Sequence, residues 1–299
     1  MTEAVMALDI GGTKLAAGLV ERDGTVRSAV TCPTPATRDP EEVFGAVLDL
    51  LAPFEAPVIG IGSAGPLDPF RGTVSPLNIP AWREFPLTDR LRAARGAEVV
   101  LAGDGHCFAL GEYWLGAGRG SSALLGIVVS TGVGGGLILD GGVVLGPSGN
   151  AGHIGHAIVS ADGVECACGS LDCVEAYASG PSMVRWASSQ GWSGRSGREL
   201  ATSAREGHPV ALAAFDRGAR ALAAGILSAA AIVDLDRIVI GGGIAAAGPL
   251  LFDPLQSWLA KLTGLGFLQG LEVLPAALPD AGVIGAAALA YQGSAQLNS

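Results

Sequence analysis

A histidine and three cysteines crowd one short stretch of this chain: His156, Cys166, Cys168 and Cys173. Four nitrogen and sulfur donors at that spacing suit a tetrahedral Zn²⁺ with no open position, a metal that shapes a site without activating water. The same cysteines could be unliganded core thiols, but Gly169 and the polar neighbours Glu165, Ser170 and Asp172 argue for a loop that is not buried. A tight, odd cluster is also unlike an extracellular disulfide framework. A second kind of chemistry is suggested by Asp9-Ile10-Gly11-Gly12-Thr13-Lys14. Its glycines let the backbone approach a phosphate, Thr13 and Lys14 can donate to phosphate oxygens, and Asp9 can hold hydrated Mg²⁺. The plain alternative is an ordinary hairpin turn. Glycines gather again in Ser130-Thr131-Gly132-Val133-Gly134-Gly135-Gly136 and in Gly241-Gly242-Gly243. Asp104 stands between an apolar run and a helical pattern, where a carboxylate can act as a general base or cap the helix.

Those residues need elements to hold them. Val5 to Val20 reads as strand, glycine turn and strand, followed by a hairpin turn at Asp23-Gly24. Leu125 to Val144 repeats the pattern with Asp140-Gly141 as its turn, so the chain reads as a duplicated unit, unless two glycine-rich hairpins merely coincide. Between them lie a helical stretch (Pro40 to Ala52), a strand (Val58 to Ile61), a Pro-rich loop (Gly65 to Pro86), a strand (Glu98 to Ala102) and a helix (His106 to Leu115). Gly116 to Ser122 is a flexible connection. It divides a small N-terminal α/β lobe, residues 1–118, from a large C-terminal α/β lobe, residues 119–299. Later elements are a helix over Pro209 to Val233, a strand over Arg237 to Ile240 and an Ala-rich helix over Gly282 to Tyr291. Strands and helices mixed in this order predict an α/β fold.

Composition narrows the partners. With 18 Lys+Arg against 28 Asp+Glu, the net charge of −10 leaves little material for a nucleic-acid face or an anionic-membrane surface. An anionic nucleotide remains possible, because backbone N–H groups and Mg²⁺ can hold phosphates. The N-terminus lacks a basic leader region, and the longest strongly apolar run, Ala221 to Val233, is thirteen residues, shorter than the ~20 a membrane span needs. A cytoplasmic protein is expected.

The three glycine runs, in their order and spacing, resemble the two phosphate motifs and the adenosine motif of the sugar-kinase, actin and Hsp70 superfamily over nearly the whole chain. The resemblance implies a two-lobed actin-like ATPase fold with an interlobe cleft. It implies ATP contacts from Asp9, Gly11, Gly12, Thr13, Lys14, Thr131, Gly132, Gly134, Gly242 and Gly243. The segment Gly152-His153-Ile154-Gly155-His156, with Cys-Ala-Cys-Gly-Ser-Leu-Asp-Cys-Val-Glu ending at Glu175, resembles the signature of ROK sugar kinases (repressor, open reading frame, kinase). By that resemblance His156 binds structural zinc with one ring nitrogen and faces the sugar with the other. Glu175 meets the sugar near its anomeric side, and Asp104 takes the proton of the 6-hydroxyl as it attacks the γ-phosphate of Mg-ATP. Gly65 and Asn78, in Gly65-Pro66-Leu67-Asp68 and Asn78-Ile79-Pro80-Ala81-Trp82, touch sugar hydroxyls, while Trp82 reads as packing. The resemblance also implies a homodimer and a last helix, about 282–292, packed on the small lobe.

This chain departs from the pattern of ROK glucokinases at two substrate-facing positions, with Gly103 where Asn is usual and His153 where Glu is usual. The expected reaction is therefore phosphorylation of a hexose or amino-hexose, kanosamine-like or N-acetylmannosamine-like, with glucokinase as the alternative. Repressors of this family place a helix-turn-helix domain ahead of the first phosphate motif, for which Asp9 leaves no room. A non-catalytic sugar-binding or regulatory protein is the remaining alternative of another class.

Overall fold

The computed structural model describes residues 4–293. In chain order it contains β1 (Val5–Ile10), β2 (Lys14–Val20), β3 (Val26–Pro33), α1 (Pro40–Leu51), β4 (Val58–Ser63), β5 (Leu67–Asp68), β6 (Thr73–Val74), α2 (Leu87–Arg95), β7 (Glu98–Gly103), α3 (Asp104–Leu115), β8 (Ala123–Val129), β9 (Val133–Leu139) and β10 (Gly142–Val144). There follow α4 (Val174–Ala178), α5 (Gly180–Ser189), α6 (Gly197–Arg205), α7 (Pro209–Val233), β11 (Arg237–Gly241), α8 (Pro249–Leu262), β12 (Glu272–Pro275) and α9 (Ala281–Gln292).

Two five-stranded sheets share one plan. Their orders are β3-β2-β1-β4-β7 and β10-β9-β8-β11-β12. In the first, β2 is antiparallel to β1 and β3, while β4 and β7 continue in parallel. In the second, β10 is antiparallel to β9, and β11 is parallel to both β8 and β12. The duplication suggested by the two hairpins thus extends through whole sheets. Local signals explain the helices. Asp39 accepts the Glu41 N–H at 2.9 Å as the N-cap of α1, Pro40 starts the first turn, and Val43, Phe44, Val47, Leu50 and Leu51 form one buried face.

The chain groups into two compact units. The first holds the chain up to Gly120, the segment Gly136–Gly152 and the chain from Ala277 on; the second holds Ser121–Gly135 and His153–Ala276. Sequence reading cut the chain once, between residues 118 and 119, and so assigned residues 136–152 to the later lobe. Their grouping follows from close packing against α3. A Cβ on Gly136 would lie 2.5 Å from the His106 Cα, and His106 Nε2 is 2.8 Å from the Ala151 carbonyl oxygen.

Within the first unit, α9 lies against α3, β1 and β4. The approach demands glycine: a Cβ on Gly60 would sit 1.8 Å from the Ala286 carbonyl oxygen, and one on Gly285 would sit 1.6 Å from that of Cys107. Near the end of α3, Glu112 is fully buried. Its carboxylate accepts N–H groups of Ala117 at 2.9 Å, Ala277 at 3.1 Å and Leu278 at 2.8 Å, so a group that would be costly to bury alone is satisfied by backbone. Trp82 is packing, as expected. It is fully buried, stacks on Phe85 at 4.6 Å and donates Nε1–H to the Pro40 carbonyl at 3.2 Å.

The second unit is organised by α7, which spans the Pro209–Val233 stretch read as helical from its apolar periodicity. It buries Ala214, Phe215, Gly218, Leu222, Gly225 and Ile226 against α4, α5, α6 and α8. Among the described residues, no helix is long and apolar enough to cross a membrane.

Candidate active site

In the first unit, the turn after β1 is closed by Gly11 N–H donating to the Lys14 carbonyl at 3.0 Å and by Thr34 Oγ1 donating to the Gly11 carbonyl at 2.7 Å. A Cβ on Gly12 would lie 2.4 Å from that of Asn78, so the phosphate-type turn and the Asn78 loop adjoin. Gly65, before a cis bond to Pro66, accepts the Leu77 N–H at 3.2 Å and joins the same loop.

Asp9, at the end of β1, is half-buried. Burial, reinforced by Asp104 and Asp280 and opposed by Lys14, raises its pKa to about 6. The first turn of α9 closes over it, with a Cβ on Gly282 falling 2.7 Å from Asp9 Oδ2. Asp104 is the first residue of α3, and the capping position belongs to Gly103, which makes no side-chain cap bond. The Asp104 carboxylate accepts only its neighbour's amide in the hydrogen bonds seen here, Gly105 N–H to Oδ1 at 2.7 Å. The residue is exposed to solvent, yet protein around it still desolvates the carboxyl. Desolvation raises its pKa, opposed by the Gly105 and Asp104 backbone N–H groups. The helix-cap alternative therefore does not describe this residue, which directly follows β7 and leaves the capping position to Gly103.

The structure also explains Gly103. A Cβ there would lie 2.9 Å from Nδ1 of the buried His106 ring, whose Nε2 is tied to Ala151. Sequence reading missed His106, whose role depends on residue 151 and on no local motif.

In the second unit, the candidate metal ligands converge. One donor atom each from His156, Cys166, Cys168 and Cys173 lies within 4.8 Å of the others. The Cys168 and Cys173 sulfurs are 3.8 Å apart, matching the roughly 3.8 Å that tetrahedral Zn–S bonds of ~2.3 Å impose. Donor set and spacing fit zinc.

The loop is exposed at Glu165, Ala167, Cys168, Gly169, Ser170 and Leu171, as expected, but the side chains at its ends turn inward. Cys166, Cys173 and Asp172 are buried, and only Cys168 of the three cysteines is exposed. Of the polar neighbours only Asp172 departs from the expectation, because it is satisfied inside. It accepts Gly163 N–H at 2.8 Å, Val164 N–H at 3.0 Å and the Tyr177 hydroxyl. The Tyr177 bond leads in holding its carboxyl below the usual range.

Cys173 leads directly into α4, which carries Glu175. Glu175 Oε2 accepts the Val133 N–H at 2.8 Å, its Oε1 lies 4.0 Å from Cys166 Sγ, and Gly180 just beyond α4 donates its N–H to the Ser130 carbonyl at 2.8 Å. The His153 and His156 rings stack with centroids 4.9 Å apart and planes 8° from parallel. Burial and the nearby His156 lower the pKa of His153 against the pull of Glu175, which favours a neutral imidazole.

The glycines after β11 dock on β8. Gly242 has φ +96, a Cβ there would be 2.4 Å from the Val129 carbonyl oxygen, and Ile244 N–H donates to that oxygen at 3.0 Å. Beside them opens a cavity of about 860 Å³ whose lining includes Ser130, Thr131, Gly180, Gly243, Ile244 and Ala247. Arg185, Arg195, Arg198 and Arg205 also line it. Sequence reading missed this basic wall, which α5, α6 and the segment between them assemble from separated positions.

The expected site residues therefore fall into two sets. Asp9, Gly11, Gly12, Thr13, Lys14, Gly65, Asn78, Gly103 and Asp104 belong to the first unit. Thr131, Gly132, Gly134, His153, His156, Cys166, Cys168, Cys173, Glu175, Gly242 and Gly243 belong to the second.

Comparison with known proteins gives one consistent assignment. The ROK family model matches residues 5–293. A glucokinase of Thermotoga maritima is 34% identical over 307 aligned positions, covering 95% of this chain and 96% of the relative. An N-acetylmannosamine kinase of Shigella flexneri is 35% identical over 291 positions, covering 96% and 98%. Among solved structures, a ROK family glucokinase from Streptomyces griseus in complex with glucose and AMPPNP is 35% identical, with a TM-score of 0.82 over 97% of this chain and 100% of that one. A ROK hexokinase from Thermus thermophilus reaches a TM-score of 0.85 at 34% identity, covering 97% and 98%. The chain belongs to the ROK family and has its actin-like ATPase fold.

Proposed function

We propose that this ROK-family chain is an ATP-dependent sugar kinase that phosphorylates the 6-hydroxyl of a hexose or amino-hexose, with Asp104 as general base. The observation that carries the reading is the state of Asp104: a carboxylate at a strand end, raised by desolvation and not consumed in capping its helix. Asp104 removes the proton as the hydroxyl oxygen attacks the γ-phosphorus, and the bond to the ADP oxygen breaks. Asp9 is the residue to hold hydrated Mg²⁺, which when bound neutralises phosphate charge. Gly11 to Lys14 and Thr131 to Gly134 offer N–H and side-chain donors to the phosphates, while Gly243 lines the cavity proposed for adenosine and Gly242 precedes it. The proposed sugar contacts are Gly65, Asn78 and Gly103 on the first unit and His153, Glu175 and His156 on the second. His156, Cys166, Cys168 and Cys173 would hold a structural zinc, which would fix His156 and, through Cys173 at the start of α4, Glu175.

Similarity does not choose the sugar, since the glucokinase and N-acetylmannosamine kinase relatives stand at 34% and 35% identity. Support for an amino-hexose comes from His153, a neutral imidazole able to accept from an amine or amide N–H where glucokinases carry a carboxylate. A specific observation favours the glucokinase alternative: the His106 ring already fills the space beside Gly103. Initial rates with Mg-ATP and glucose, glucosamine, kanosamine, mannose or N-acetylmannosamine decide between them. The amino-hexose reading expects the highest kcat/KM on an amino sugar. Equal or better turnover of glucose overturns it, and no turnover on any sugar leaves a binding protein. A cytoplasmic homodimer accompanies this reading, and sedimentation equilibrium tests the dimer.

A further inference from the structure

We infer that Glu175 is also a positioning residue for the phosphoryl-donor loop, so that one carboxylate serves both substrates. This rests on the kinase reading above and adds a role for which no sugar contact is needed.

The observation is the way α4 and the first residue of α5 together grip the run from Ser130 to Val133. At one end Glu175 Oε2 accepts the Val133 N–H at 2.8 Å; at the other Gly180 N–H donates to the Ser130 carbonyl at 2.8 Å. Between these anchors the turn closes on itself through Ser130 N–H to the Gly132 carbonyl at 2.8 Å. Gly132 fits beneath the carboxylate because it has no side chain: a Cβ there would lie 2.7 Å from Oε2. The other oxygen, Oε1, faces Cys166 at 4.0 Å, and Cys173 leads into the helix itself. Metal loop, α4 and phosphate loop therefore form one braced path within the second unit.

A negative side chain beside a phosphate-binding turn is electrostatically unfavourable, which makes the geometry informative. Bracing the Val133 N–H needs only an oxygen acceptor, and a glutamine oxygen is sufficient for that. Contacting a sugar hydroxyl as a charged acceptor needs the carboxylate. The two roles can be separated at a single position.

The test is the affinity for Mg-ADP in the absence of sugar, by isothermal titration calorimetry, for the unaltered protein, Glu175→Gln and Glu175→Ala. Glu175→Ala leaves the Val133 N–H without its acceptor and is expected to weaken Mg-ADP about tenfold. Glu175→Gln is expected to stay within about twofold of the unaltered protein while its sugar KM rises, a split that a sugar contact alone does not produce. Gly132→Ala approaches the brace from the loop side and is expected to weaken Mg-ADP with circular dichroism unchanged. It keeps the inference testable if Glu175→Ala fails to fold. Mg-ADP affinity that is unchanged in Glu175→Ala, or equally weakened in Gln and Ala, overturns the inference and leaves the kinase reading intact. No Mg-ADP binding by the unaltered protein overturns both.

Discussion

The two glycine-rich hairpins occupy matching places in two sheets of the same strand order, yet they treat charge in opposite ways. The first contains Asp9 and Lys14 and has Asp104 and Asp280 within electrostatic reach. The second, Ser130 to Gly136, has no ionisable side chain of its own and takes its carboxylate, Glu175, from α4. A shared backbone plan thus carries divided chemistry. On the proposed kinase reading, the first hairpin would serve a cation and the second phosphate oxygens held by backbone N–H groups. The division has a cost on one side only, since crowded carboxylates destabilise the first hairpin whenever they are ionised.

The comparison can be broken most severely at Asp104. Asp104→Asn keeps the shape and removes the base, so turnover should fall by about 10²–10⁴-fold with Mg-ADP affinity within about twofold, measured by coupled assay and calorimetry. Retained turnover would place proton chemistry elsewhere. Next comes Cys168→Ser, which should lower zinc content and weaken sugar binding together by about tenfold or more. Because these ligands lie in the second unit, titration of Asp9 should not move.

Asp9→Asn should act in the opposite sense on stability. The folded protein holds the Asp9 proton up to about 6, whereas the ordinary value is 3.8. The folded state thus binds the proton more tightly, and stability falls as pH rises from about 4 to about 6. Asp9→Asn should therefore gain of order 2 kcal/mol at pH 7.5 and nothing near pH 4, read as a rise in Tm of a few degrees at the higher pH only, while Mg-ATP use declines. An unchanged Tm at pH 7.5 would show that the first hairpin carries no such strain. The smallest change is expected from Gly134→Ala, where a Cβ meets nothing within 4 Å. Stability should shift by less than about 0.5 kcal/mol, so any loss of Mg-ADP affinity would report the approach of phosphate itself.

Much of this architecture is written locally. The apolar period of Pro209 to Val233 becomes α7, and the three glycine runs fall at or beside strand ends. The helix read from His106 starts at Asp104, since Gly103 takes the capping position and frees the carboxylate. What could not be read depends on distance in space. The burial of Cys166 and Cys173 follows from Asp172 meeting Gly163, Val164 and Tyr177. The glycine at 103 reflects His106, and the arginine wall comes from two different helices and the segment joining them. The zinc-type ligands were legible because their spacing is itself the signal; the groups that hold their loop carry no such pattern.

The fit of α9 against β1 and β4, with Glu112 gripping Ala277 and Leu278, constrains how the molecule is made. During translation the opening sheet emerges early, but the helix that covers it follows only after the entire second unit. Until then an apolar sheet face stays available to wrong partners, and its closing contacts span most of the polypeptide, an arrangement that slows acquisition of structure. Ribosome-stalled nascent chains halted before Ala281 should therefore remain protease-sensitive in the opening strands and become resistant once α9 has left the exit tunnel.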